Sequence, residues 1–311
     1  MKTSPIPEDT QKEITVNAQD AMIATLGFLG HGHSTRNCTA NFGYGKDSKW
    51  SFEENLRKKP KDTCLLHYKA NPIEYKFNNF GFRSNIDFVP GVEGNVYLGC
   101  SHTFGTGHYQ ENSWPGVLNE KLDGELLNLG IGASGIATGA RLLHNLKGII
   151  KPKRIFCHYI HPYRYEYFDY QVKVWRTISP TFNYPQKEGL APIPKDLKRY
   201  LAEEEHMRMH YRANFALIEN IANDLGAKLY SVPFVHDDVL GKEYKRKKTD
   251  IPWQARDLVH FHKGWHRNVA ERFHKAVLDD EPIDRFPPGD LKIENKVVQS
   301  DIRKFFPKTL I

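Results

Sequence analysis

The chain has 311 residues, of which 40% are hydrophobic, 12% aromatic and 26% charged. This is ordinary globular composition, long enough for one large domain or two modest ones and too aromatic for wholesale disorder. The net charge of +7 reflects 44 basic against 37 acidic residues. Much of the excess sits at Lys58, Lys59 and Lys61 and in the run Lys242 to Lys248. Those patches read as solvated loops or as attraction for an anionic ligand. No basic helix with interleaved aromatics is present, so no nucleic-acid partner is expected. No apolar run approaches the roughly 20 residues that span a bilayer. The opening MKTSPIPEDTQKE lacks the apolar core of a signal peptide, so a cytoplasmic location is expected. Cys38, Cys64, Cys100 and Cys157 form no CxxC pair and read as small core residues of a reducing compartment.

In chain order, residues 1–70 show weak periodicity and are expected to form an arm or irregular cap, with His31 to Asn37 as loop. Ile73 to Phe82 is a strand candidate. From residue 95 the pattern sharpens into alternating short apolar runs and amphipathic segments. Strands are expected at 95–101, 125–131, 154–160 and 227–234. Helices are expected at Trp114 to Leu122, with Pro115 in the first turn, and at Ile136 to Ile150, with Ser134 as N-cap. A longer helix, Leu201 to Leu225, presents Phe215, Ile218, Ile221, Ala222 and Leu225 on one face and stops at Gly226. The last helix covers Lys263 to Leu278. Such alternation implies a parallel sheet, whose ligands bind beyond the carboxyl ends of the strands. Residues 162–200 interrupt the alternation as an aromatic, proline-rich insertion, read as a lid or substrate wall. Residues 279–311 read as a peripheral tail.

The segment Gly99 to Gly105, GCSHTFG, places Ser101 on a sharp turn after the apolar run Val96-Tyr97-Leu98. A serine held there becomes a nucleophile if a base reaches it. Asp257 and His260, three residues apart on one later segment, supply the two remaining roles of acyl-transfer chemistry. The plainer readings are a helix-cap serine and an ordinary loop histidine. Cys100, one residue before the turn, is expected to point away from Ser101. His206 and His210 share a helix face and read as solvated. His260, His262 and His266 have a spacing that a metal would tolerate, although a metal site is the weaker reading. The glycines of Gly99–Gly107 lack the Lys-Ser/Thr ending of a phosphate loop.

These motifs resemble the SGNH (GDSL) hydrolase family, over residues 71–278. Gly99-Cys100-Ser101 with His102-Thr103-Phe104-Gly105 is similar to the family's first block, Phe77 to Arg83 to its lead-in, and Asp257-Leu258-Val259-His260 to its last block. The resemblance implies a flavodoxin-like three-layer α/β/α sandwich with a parallel sheet, the insertion at 162–200 lying upon it. It implies a Ser101–His260–Asp257 triad with no metal or cofactor. The oxyanion hole is then the N–H of Ser101 with that of Gly132 or, in strict register, Ala133. Cys100 departs from the family's aspartate. The third block reads Tyr159 to Arg164, without the family's asparagine, so His161 or Arg164 is expected to donate instead. Tyr163 and Arg164 are candidate substrate-binding residues. Esterase, lipase or carbohydrate O-deacetylase activity on a small-molecule or carbohydrate ester is implied, with acyl transfer to a sugar as a related outcome. The alternative is a catalytically weak or inactive binding or structural protein that keeps the fold.

Overall fold

The computed structural model describes residues 36–43, 47–159, 164–169, 174–178, 200, 201, 203–231 and 251–281. Residues 31–35 of the loop expected at His31 to Asn37, the basic run 242–248, residues 179–199 of the insertion and the tail after 281 lie outside these.

The segment expected to be irregular holds two helices. Strand β1, Thr39–Ala40, precedes helix α1, Lys49–Lys58, whose N-cap Ser48 accepts the Ser51 N–H. Helix α2, Thr63–Ala70, starts at Asp62, whose carboxylate accepts from the N–H groups of Cys64 and Leu65. Side-chain caps of this kind satisfy donors that have no intrahelical partner. Phe52, Leu65 and Tyr68 pack with Ile73, Tyr75, Phe77 and Phe104 in one buried cluster. Residues 49–70 therefore pack on the segment that carries Ser101. The strand expected at 73–82 shrinks to β2, Tyr75–Lys76, antiparallel to β1, with one further bridge between Phe77 and Arg83. Asn78 ends it by turning its Oδ1 onto the N–H groups of Phe80 and Phe82.

Strand β3, Val92–Gly99, pairs in parallel with β4, Glu125–Asn128, and with β5, Ile150–His158. Helices α3, Ser101–Phe104, and α4, Trp114–Asn119, lie between β3 and β4; α5, Ile136–Leu146, lies between β4 and β5. An antiparallel hairpin of β6, Tyr165–Asp169, and β7, Val174–Ile178, follows. Helix α6, Glu204–Asp224, then leads to β8, Lys228–Ser231, parallel to β5, and α7, Lys263–Leu278, comes last. The result is an α/β fold with a four-stranded parallel sheet, order β4-β3-β5-β8, flanked by helices.

The later parts of β3 and β5, Val96-Tyr97-Leu98 and Ile155-Phe156-Cys157, read as short apolar runs because both faces are covered. Val96, Leu98, Ile155, Cys157 and Leu229 pack toward α5 and α6, whose buried positions include Leu142, Leu143, Leu146, Ile218, Ile221 and Ala222. Tyr97, Phe156 and Tyr230 point the other way, onto Trp114 and Leu118 of α4 and Trp265, Val269 and Phe273 of α7. Cys100 belongs to that second cluster. Several boundaries and one cap differ from expectation: α5 ends at Leu146, short of Ile150, which opens β5, and α6 starts at Glu204 rather than Leu201. Helix α4 stops at Asn119, and Lys121 and Leu122 continue as single turns. Helix α5 starts after Gly135 with no side-chain cap, because the Ser134 hydroxyl donates instead to the Gly99 carbonyl at 3.1 Å.

The chain leaves β3 toward β4 on one side and leaves β5 toward β8 on the other. Neighbouring strands whose connections diverge open a crevice at their carboxyl ends. The β3–β5 pairing runs to Gly99 opposite His158, so the crevice starts at Ser101. Among the described residues, no helix is long and apolar enough to cross a membrane.

Candidate active site

Gly99 is a glycine for steric reasons: a Cβ there would collide with Thr103 Oγ1 and the His158 carbonyl. Cys100 is extended and Ser101 opens α3, so the chain turns sharply between them. The helix ends at Gly105, φ 79°. The carbonyls at and beyond its end are taken by a fully buried cation: Arg83 Nη1 donates to Phe104 O at 3.0 Å and Gly105 O at 2.7 Å, and Nη2 to His108 O at 2.8 Å. Arg83 is the arginine of the sequence lead-in, and what it does is hold the serine turn.

Asp257 and His260 meet as their spacing suggests. His260 Nδ1 donates to Asp257 Oδ2 at 2.5 Å, while Oδ1 accepts the N–H groups of Val259 and His260, each at 3.1 Å. Leu258, φ 58°, takes the left-handed bend that lets the carboxylate fold back on its own loop. Asp257 is 3% exposed. Burial pushes its carboxyl up, but the His260 contact and the two N–H donors outweigh that and hold it below the usual range. With Nδ1 committed, His260 has Nε2 left as a proton acceptor.

The His260 ring lies 5.1 Å, centroid to centroid, from the ring of His102, the residue after Ser101. His102 is itself stacked on Phe261 at 4.6 Å and tilted against Trp265 at 5.1 Å. The serine turn and the imidazole are thus brought side by side. No hydrogen bond joins Ser101 Oγ to His260 among the described residues. A hydroxyl rotates freely, and such bonds often tighten only around substrate.

The loop after β4 wraps the same end of β3. Leu129 N–H bonds Tyr97 O, and Ile131 N–H bonds Gly99 O, prolonging the strand contact past Asn128. Asn128 donates to Thr103 O at 3.0 Å and accepts from Gly130 N at 2.9 Å. Gly130 lies against the backbone of Thr103 and Phe104, too close for a side chain. Ala133 sits at φ 62°, the conformation glycine adopts most easily. The N–H groups of Ser101, Gly132 and Ala133 make no hydrogen bond within the described residues. Arg164 is buried, its Nη1 on Ser134 O at 3.3 Å and its backbone packed on Gly135. It supports the far end of this loop. His161 and Tyr163 lie outside the described residues.

Other singled-out groups have structural occupations. His206 and His210 are half-buried rather than fully solvated: both rings lie on Tyr165, at 5.6 and 4.4 Å, and His206 also lies on Tyr200 at 4.2 Å. Tyr165 is buried with Leu201 and Met207, and Phe168 meets Trp175 edge-on, so these aromatics of the insertion pack on its own neighbours. A bidentate Arg141–Glu166 pair ties the hairpin to α5. His262 caps α7 by accepting the Trp265 N–H, and His266 Nδ1 accepts the Trp114 N–H at 3.1 Å. Among the described residues, no group of three or more His, Cys, Asp or Glu is arranged to hold a metal.

His108, His158 and His266 are fully enclosed near this site. Burial pushes the first two down to about 4 and the third well below 6.5. Their folded values lie below the unfolded one, so the unfolded chain takes up more protons. Stability is full above about pH 6.5 and is lost as the pH falls toward 4, by up to roughly 3 kcal/mol each for His108 and His158, with a further loss in the same direction from His266. Urea unfolding at pH 7 and pH 5 is expected to show a clearly lower midpoint at pH 5; equal midpoints would contradict the buried, neutral assignment.

Sequence reading overlooked Asp47, Tyr75 and Arg256, which bind one another beneath the serine turn. Only the place of Arg256 beside Asp257 offered a signal. No family model matches the chain, and no curated protein matches it in sequence.

Proposed function

We propose that this chain is a serine hydrolase of the SGNH (GDSL) type, cleaving an ester through Ser101, His260 and Asp257. The observation that carries the reading is the 2.5 Å Asp257–His260 pair seated beside the Ser101 turn. The strand order supports it too. In chain order the four strands stand 2-1-3-4, as in the first four of the flavodoxin-like arrangement, with the site at the switch point.

In this mechanism Ser101 Oγ attacks the ester carbonyl as His260 Nε2 takes its proton. The oxyanion is met by the N–H of Ser101 and that of Gly132 or Ala133. One such donor contributes about 3 kcal/mol. Collapse expels the alcohol, which receives the proton from His260. Water then repeats the sequence on the acyl-enzyme, and His260 returns the proton to Ser101. Asp257 holds the productive tautomer and stabilises the imidazolium. Arg164 shapes the oxyanion loop through Ser134, and His161 is the residue best placed in sequence to replace the third-block asparagine. The substrate class is a carboxylic ester, with a sugar acetate among the candidates.

Hydrolysis of p-nitrophenyl acetate tests the reading. The wild type is expected to turn it over, and Ser101→Ala to lose at least about 10³-fold in rate. Folded wild-type protein without turnover of short esters would favour the binding or structural alternative.

A further inference from the structure

Asp47, Tyr75 and Arg256 take no part in those proton transfers, yet they close a single hydrogen-bonded ring on Gly107. The Gly107 N–H donates to the Tyr75 hydroxyl oxygen at 2.9 Å. That hydroxyl donates to Asp47 Oδ2 at 2.6 Å. Asp47 grips the Arg256 guanidinium with both oxygens, Nε to Oδ1 and Nη2 to Oδ2, each at 2.8 Å. The Arg256 backbone N–H then returns to the Gly107 carbonyl at 2.9 Å. All three side chains are buried.

The two ends of this ring are the two halves of the site. Gly107 follows α3, which begins at Ser101. Arg256 immediately precedes Asp257. Tyr75 is also stacked on Phe104 of α3 at 5.5 Å and lies under the Arg83 guanidinium at 4.3 Å. A buried ion pair rarely outperforms apolar residues of the same volume in stability. What it supplies that they cannot is direction: a bidentate fork and a short hydroxyl bond set both length and angle. We propose that the Asp47–Tyr75–Arg256 ring is a positioning device that sets the Asp257–His260 pair against the Ser101 turn. Its catalytic consequence rests on the hydrolase reading; its effect on the geometry of the pair does not.

Tyr75→Phe keeps the stacked ring and removes only the hydroxyl that joins Gly107 to Asp47. Tyr97→Phe is the control, since it removes a buried hydroxyl bonded to Asn119 Oδ1 at 2.8 Å, toward the opposite end of β3. In the full-length chain, modification by a fluorophosphonate is expected to slow about 10–100-fold in Tyr75→Phe, as misplacement of reacting groups does. In Tyr97→Phe it is expected to stay within about twofold. By proton NMR, the downfield resonance of the His260 Nδ1–H bonded to Asp257 is expected to shift or broaden in Tyr75→Phe only. Arg256→Lys, which keeps the charge but loses the fork, is expected to act in the same direction and serves if Tyr75→Phe does not fold. A folded variant with an unmoved resonance overturns the positioning role, whatever its rate. A wild type that resists the fluorophosphonate, with a resonance that still moves in Tyr75→Phe, overturns the hydrolase reading and leaves the ring's role standing.

Discussion

Asp257→Asn is expected to lower ester hydrolysis by about 10⁴-fold while leaving the protein folded. The asparagine carbonyl can still accept the N–H groups of Val259 and His260, which Asp257 Oδ1 holds at 3.1 Å. The loop therefore keeps its shape. The change falls on the other oxygen, which now lies 2.5 Å from His260 Nδ1. An amide there donates rather than accepts, so Nδ1 must become the acceptor and the ring proton moves to Nε2. Nε2 is the atom that has to take the Ser101 proton, and in that tautomer it has no lone pair to offer. The check is kcat/KM for p-nitrophenyl acetate with the circular dichroism spectrum alongside. A folded variant that retains more than about a tenth of the wild-type value would remove Asp257 from the mechanism.

The second large effect is one of stability. Asp47→Ala is expected to cost about 3–5 kcal/mol, because it leaves the Arg256 cation buried without its partner. Arg256 is 1% exposed, so water cannot replace the carboxylate. Burial pulls the guanidinium down, and Asp47 more than offsets that pull. The Tyr75 hydroxyl and the Gly43 N–H lose their acceptor in the same step. The exposed Lys49–Glu53 pair, 3.9 Å apart, offers a contrast: breaking it is expected to change stability by less than about 1 kcal/mol. Urea unfolding measures both. Asp47→Leu combined with Arg256→Met is expected to recover much of the stability without recovering the rate, since apolar packing replaces the buried charges and leaves the fork unmade. A small loss in Asp47→Ala would show that the pair is better solvated than its burial indicates.

The parallel sheet was legible because its central strands are covered on both faces and so carry short apolar runs, Val96 to Leu98 and Ile155 to Cys157, between amphipathic segments. The faces of α5 and α6 were legible from helical spacing, which placed Leu142, Leu143 and Leu146 and Ile218 and Ile221 in the core where they are found. The Asp257–His260 pair was legible because both residues sit on one short loop. Helices α1 and α2 were not read, being only 10 and 8 residues long, the first dense in charge and the second without a sustained apolar period, although Ser48 and Asp62 marked their starts. Ser134 was misread as a cap because the carbonyl that claims its hydroxyl belongs to β3, 35 residues earlier. The contact that joins Asp47 to Arg256 spans 209 positions, and no periodicity or local motif reports a pairing of that range. His206 and His210 sit on a polar helix and read as solvated; they are half-buried because Tyr165, from the inserted hairpin, lies on them.

The most direct test is to treat the intact protein with a fluorophosphonate and locate the adduct by peptide mass spectrometry. The hydrolase account predicts one phosphonylated residue, Ser101, with labelling abolished in Ser101→Ala and in His260→Ala. Folded wild-type protein that carries no adduct, or carries it on another residue, would contradict the account.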